Sequence, residues 1–300
     1  MNTVIFPWGP FTFSVLSLSF SAAILVGLIA VIIAGRRERL SFQRIIDFIL
    51  ISMVCGVVGG RLGHVLLVNR DYYFQNPEQI IRLQDGGVSF WGGFLLALAV
   101  AIFWARRRGY SLEPYLDAAA PALVLGLSLG KIGYSLQGKA MSGAYPWGVL
   151  QDGQLVHPDG AYAIVLLMLL YFYLNRCYRR VHYKGELMLF FIVGYGLINL
   201  VVDHFRVLPA VWWQATAGQL VSLVMILLAL VYMIGGSKVY PSSHYFARKI
   251  DRSPPSRLKS PLRVLWGLLF IAVQLYPYFM VNGFPVGLTN LVPLRFLIRL

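Results

Sequence analysis

The stretch 56-GVVGGRLGHVLLV-68 decides how the whole chain is read. Glycines recur four apart, Gly56 with Gly60 and Gly59 with Gly63, inside an otherwise apolar run. Small residues at that spacing let two helix backbones approach closely within a membrane. Packing is the plain reading of these glycines, and it predicts a central position for the span that carries them. Arg61 interrupts the run, and His64 follows three residues on. An ionisable side chain inside a membrane span is costly, so Arg61 marks a candidate site.

Working outward, 58% of the 300 residues are hydrophobic and only 13% are charged. Mean hydropathy is +0.68. A soluble domain is usually about a quarter charged, so the composition is that of an integral membrane protein. The net charge of +14 does not point to nucleic acid, because the basic residues fall between apolar runs. Anionic lipid headgroups are the better match.

A helix needs about 20 apolar residues to cross a bilayer. Seven runs qualify, at 11–34, 44–68, 88–105, 116–136, 160–178, 187–205 and 211–235. Gly126, Gly130 and Gly133 mark the fourth span as central too. The reading is an all-α integral membrane protein: a seven-helix domain over 1–235, a basic linker over 236–261, and an apolar segment over 262–300. That last segment holds an apolar run at 262–281 and is expected as an eighth span, with an interfacial placement as the alternative. Odd-numbered connections hold 18 of the 26 Lys and Arg residues. The positive-inside rule then puts those loops in the cytoplasm and the N-terminus outside. No basic residue precedes Arg36, so the first run lacks a signal-peptide n-region and is expected to stay as a span.

The remaining polar residues inside spans cluster toward the outer side. Lys131 sits near the outer end of span four, followed by Tyr134 and Gln137. In span six, Tyr195, Asn199, Asp203 and Arg206 fall at i, i+4, i+8 and i+11, one face of a helix. His157 and Tyr162 open span five. Arg and Lys favour phosphate, and Arg can grip it bidentately. These groups predict a cavity opening to the outer leaflet that holds a phospholipid headgroup. The bland alternatives are an internal Asp203–Arg206 ion pair and snorkelling of Arg61 and Lys131. Cys55 and Cys177 form no motif and are expected as reduced thiols. No spacing suits a metal, P-loop or nucleophile elbow, and no cofactor is expected. A transporter is disfavoured, because the chain lacks paired broken helices or an inverted repeat.

These residues resemble the prolipoprotein diacylglyceryl transferase family. The carrying segments are GGRLGHVLLVNRDYYFQNPEQI, DGGVSFWGGF, LGKIGYSLQGKAMSGAYPWGV, HPDGAY, GYGLINLVVDHFR and GQLVSLVMILLAL, six pieces in the family's order. The resemblance implies transfer of diacylglyceryl from phosphatidylglycerol to a lipobox cysteine of a preprolipoprotein, at the bacterial inner membrane. It also implies that the outer cavity is the active site. Arg61, His157, Tyr162, Tyr195 and Arg206 match the family pattern, and Asp203 stands for its Glu. Trp91 stands for its catalytic His, Lys131 for Arg, Tyr134 for Asn, Lys139 for an acidic residue and Asn199 for Arg. Leu16-Ser17 replace a Tyr-Gly.

Two functions follow as expectations. One is a divergent transferase with Lys131, Arg61 and Arg206 on the lipid phosphate, and with Asp203, His64 or substrate ionisation supplying the base. Its catalytic candidates are Asp203, Lys131 and Tyr195. Its headgroup-binding candidates are Arg61, Lys131, Arg206, Tyr134, His157 and Tyr162. The other is a catalytically silent paralogue that binds phospholipid or a lipoprotein precursor. Indole nitrogen is a donor only, so Trp91 cannot act as the family's base. It could equally be an interfacial anchor.

Overall fold

The computed structural model describes residues 4–8, 11–67, 70–82, 87–143, 145–178, 181–208, 210–212, 215–239 and 260–289. Eight long helices follow one another: α1 (Val15–Arg37), α2 (Phe42–Leu67), α4 (Phe90–Arg108), α5 (Glu113–Gly130), α6 (Asp159–Cys177), α7 (Glu186–His204), α8 (Ala217–Val239) and α9 (Ser260–Asn282). Two short helices, α3 (Arg70–Gln75) and α10 (Val286–Thr289), are also present among the described residues. Three two-stranded antiparallel hairpins, β1–β2 (Val4–Trp8, Phe11–Ser14), β3–β4 (Val149–Gln151, Gln154–Val156) and β5–β6 (Ala210–Trp212, Ala215–Thr216), were not expected from the sequence. The first and third take up residues at the starts of the expected spans 11–34 and 211–235, so those helices begin later, at Val15 and Ala217.

Among the described residues, α1, α2, α4, α6, α7 and the Ala217–Gly235 part of α8 are long and apolar enough to cross a membrane. Residues 267–282 of α9 form a shorter apolar helix. The remaining long helix, α5, is less apolar because it is enclosed by protein rather than lipid. Eleven of its 18 residues are buried, among them Asp117 and Ser128. The expected span 116–136 is therefore shorter at its far end. The helix stops at Gly130, and Lys131 to Tyr134 form a turn in which the Tyr134 amide donates to the Lys131 carbonyl (3.2 Å).

The glycines of α2 meet α4. A Cβ on Gly59 would lie 2.6 Å from the Gly92 carbonyl oxygen, and one on Gly63 would lie 2.8 Å from Gly92 Cα. Backbone therefore touches backbone, as the small-residue spacing predicts. The expectation that α2 is central needs correction. Its other faces leave Val54, Val57, Val58 and Leu66 exposed, consistent with a lipid-facing helix that has one packed seam. By contrast, α5 is central, packed between α1, α6 and α7.

The start of α7 shows why α5 keeps a carboxylate. Gly185 precedes α7 with φ +90° and no side-chain cap. Asp117 supplies one from across the bundle. Its Oδ2 accepts from Gly185 N (2.8 Å), and its Oδ1 accepts from Leu187 N (2.9 Å) and Met188 N (3.2 Å). Free N–H groups at a helix start favour such an anion.

Candidate functional site

The C-terminal ends of α2, α5 and α7 meet the N-terminal ends of α4 and α8 at one end of the bundle. A cavity of about 230 Å³ opens there, lined by polar groups including His64, Lys131, Tyr134, Asn199, Asp203 and Arg206. Ligand pockets for drug-sized molecules run about 300–1,000 Å³, so this cavity has room for a small polar group only. Trp91 and Tyr195 also contribute to its wall. The i, i+4, i+8 spacing of α7 thus brings Tyr195, Asn199 and Asp203 to one cavity, with Arg206 just beyond the helix end.

Both helix starts at the cavity are capped. Ser89 accepts from Gly92 N (3.3 Å) at α4. At α8, Thr216 N donates to Gln219 Oε1 (3.0 Å), while Thr216 Oγ1 accepts from Gln219 N (3.1 Å). This reciprocal pair is a capping box, and it gives Gln219 a structural role.

Trp91 is 2% exposed, which removes the interfacial-anchor reading. Its Nε1 donates to Ser222 Oγ (2.8 Å), and Ser222 in turn donates to the Gly218 carbonyl (2.7 Å). Its ring meets Tyr195 edge-on at 5.4 Å between centroids. Asn199 Nδ2 reaches the same Ser222 oxygen at 3.5 Å. The indole thus sits in a closed aromatic cluster with its single donor satisfied.

The cations differ in their surroundings. Arg206 lies between carboxylates, with Nε 3.0 Å from Asp159 Oδ2 and Nη1 3.4 Å from Asp203 Oδ1. Its Nη2 also donates to Gln137 Oε1. The Asp203–Arg206 pair is therefore present, although the guanidinium still lines the cavity. Asp203 Oδ2 accepts from Thr216 Oγ1 (3.3 Å), so both carboxylate oxygens are engaged. Lys131 Nζ stands 4.7 Å from the Tyr134 ring centroid, and among the described residues it forms no ion pair with a carboxylate. It is the cavity cation whose charge is least compensated.

Arg61 is placed elsewhere, off the cavity lining. It is buried, and its guanidinium donates to the carbonyls of Gln79 (2.7 Å), Ile80 (3.0 Å), Arg82 (3.0 Å) and Gly87 (3.2 Å). The ring of Tyr73 lies 5.1 Å from its Cζ. Arg61 neither snorkels nor faces the cavity; it clamps the loop between α2 and α4. His157 and Tyr162 are also off the lining. His157 Nδ1 is 3.2 Å from Tyr162 Oη, and both rings pack on Phe205.

Asp159 was not singled out in the sequence. It is 4% exposed, pairs with Arg206, and accepts from Gln137 N (3.1 Å). Its position in HPDGAY, just before an apolar run, was the available signal for a buried helix-start carboxylate.

The fold and site together define a multi-pass helical membrane protein with a polar cavity at one end of its bundle. The prolipoprotein diacylglyceryl transferase family model matches residues 3–235. A phosphatidylglycerol–prolipoprotein diacylglyceryl transferase of Glaesserella parasuis serovar 5 (strain SH0165) is 36% identical over 63% of this chain and 75% of the relative. Relatives of the same name from Geobacter sulfurreducens (32%; 67% and 82% covered) and Wolbachia sp. subsp. Drosophila simulans (strain wRi) (31%; 78% and 95% covered) are also similar. The chain belongs to the prolipoprotein diacylglyceryl transferase family. Helix α9 lies beyond the matched region.

Proposed function

We propose that this chain is a divergent diacylglyceryl transferase acting on phosphatidylglycerol, or another anionic glycerophospholipid, and on a lipobox cysteine of a preprolipoprotein. The carrying observation is Lys131, a cavity cation with no carboxylate partner among the described residues. It stands where two helix N-termini also converge, and helix starts favour anions. Lys131 takes the lipid phosphate, with Arg206 as a second contact. The thiol loses its proton and the sulfur attacks the glyceryl carbon. A C–S bond forms, the C–O bond to phosphate breaks, and glycerol phosphate leaves with the negative charge that Lys131 offsets.

His64 is the better proton acceptor. It lines the cavity, whereas Asp203 already accepts from Arg206 and Thr216. The loop charges support an orientation in which the cavity faces the outside of the bacterial cytoplasmic membrane, with the N-terminus on the same side.

A second reading, a catalytically silent lipid or precursor binder, is favoured by Trp91. This buried donor stands where the family resemblance puts a histidine. Expression in a bacterium depleted of its own transferase decides between them. The transferase reading expects a lipobox substrate to gain the mass of one diacylglyceryl group. No gain from inserted protein would eliminate it, and retained phosphatidylglycerol binding would then support the silent reading. Gained or increased transfer by Trp91→His would show that the remaining site is competent.

A further inference from the structure

Helix α9 carries Gln274, Tyr278 and Asn282 at i, i+4 and i+8, one face of a mostly apolar helix. Gln274 is 1% exposed and Tyr278 is 0%. Buried amides in an apolar setting are costly unless they are bonded. Both amides on this face are bonded, Gln274 to α5 and α6 and Asn282 to the loop that follows α5 and to its own helix.

Ser128 Oγ donates to Gln274 Oε1 (2.6 Å), and Gln274 Nε2 reaches Met168 Sδ (3.1 Å). Asn282 Oδ1 accepts from Leu136 N (3.0 Å), while its Nδ2 donates to the carbonyls of Tyr134 (3.1 Å) and Tyr278 (3.1 Å). These anchors hold the chain at Ser128 on one side of Lys131 and at Tyr134 and Leu136 on the other. Between the two amides, the Tyr278 ring fills the place of a missing side chain on α6. A Cβ at Gly160 would come within 2.4 Å of Tyr278 Cε2. Beyond the helix, Val286 N donates to Gly148 O (3.0 Å) and Gly287 N to Pro146 O (2.7 Å). The segment therefore clasps both ends of the loop that follows Lys131.

We propose that α9 is a working part of the site, with Asn282 as a positioning residue that sets where the Lys131 ammonium stands in the cavity. This positioning role is one of cavity geometry and does not depend on whether the chain transfers lipid. It also gives a use to a helix outside the family match. The direction of α9 agrees with an eighth crossing, because its end at Asn282 lies at the cavity end of α5.

The test labels the full-length protein, in phosphatidylglycerol-containing vesicles, with an amine-acylating reagent across a pH series. Mass spectrometry compares Lys131 with Lys184, an exposed loop lysine. Asn282→Leu is expected to shift the Lys131 pH profile and change its labelling rate by at least about threefold, the factor that one ordinary hydrogen bond supports. Lys184 should not change. Gly160→Leu, which unseats Tyr278 from the α6 side, should reproduce the shift. Asn282→Gln keeps a neutral amide with both donor and acceptor and should restore part of the native profile; it also serves if either leucine variant fails to insert. A native Lys131 profile in the inserted variants would overturn the proposal, as would an equal change at Lys184. In the transfer assay, a fall in kcat/KM for Asn282→Leu with recovery in Asn282→Gln would extend the same result to turnover.

Discussion

The two ends of α5 treat charge in opposite ways. At the start of the helix, Asp117 is 2% exposed, and three backbone N–H groups of the α7 start surround its carboxylate. Fourteen residues on, about 21 Å along the axis, Lys131 meets the cavity with an aromatic face beside it and no carboxylate partner among the described residues. Both groups are expensive in an apolar bundle. Compensation separates them. Asp117 is satisfied by the fold itself, so it is architecture. Lys131 forms no ion pair with a carboxylate among the described residues, and the proposed phosphate contact would use that charge.

That contrast can be broken at several points. The largest effect belongs to Lys131→Ala. Transfer in the depleted-strain assay should fall by about 10²–10³, by analogy with a lost oxyanion donor. Its melting temperature in detergent should stay near the native value. A change of less than tenfold would remove Lys131 from the phosphate site. Asp117→Ala should show the reverse pattern, because it strips the cap from α7 and leaves three buried donors unpaired. A loss of about 3 kcal/mol in unfolding free energy is expected, with Asp117→Asn milder because it retains one acceptor oxygen.

Arg61→Leu comes next and should act through the loop. Four carbonyls lose their donor, and a loss of about 2 kcal/mol is expected, with faster proteolysis between residues 70 and 88. A selective loss of lipid binding with the loop intact would instead return Arg61 to the cavity. Trp91→Phe removes the bond to Ser222 and part of a buried ring, and should lower stability by about 1–2 kcal/mol. The smallest effect is on pH. Burial, and then His204, hold the His157 imidazole below its usual range. The unfolded chain therefore binds the extra proton first, and stability should decline as pH falls through the ordinary imidazole pKa. His157→Gln should flatten that part of the stability profile.

The site was legible where its members share one helix. Tyr195, Asn199 and Asp203 fall on one face because 3.6 residues make a turn, and the spacing alone assembles them. It was illegible where the partner is backbone. Nothing in a sequence marks the carbonyls of residues 79, 80, 82 and 87, so Arg61 read as a phosphate ligand although its donors are occupied there. Asp117 escaped notice for the same reason, since its three partners are amides about 70 positions away. Asp159 and Arg206 lie far apart in sequence and meet only through the fold. Gln274, Tyr278 and Asn282 form a different case: their i, i+4, i+8 spacing is the same signal as on α7, carried by a segment whose apolarity drew the attention. The Trp91 frame was visible as glycines, but its burial depended on Ser222 and Tyr195 from two other helices.

The seam between α2 and α4 has a further consequence. Because Gly59, Gly63 and Gly92 meet backbone to backbone, with Leu96 and Ser89 closing against the same glycines, the side chains at 64 and 91 do not set the spacing between the two helices. His64 follows one of these glycines, and Trp91 precedes another. The chemistry at either position can be exchanged while the rails that carry it keep their gauge. A site mounted on such a seam can change its reagents without retooling its frame.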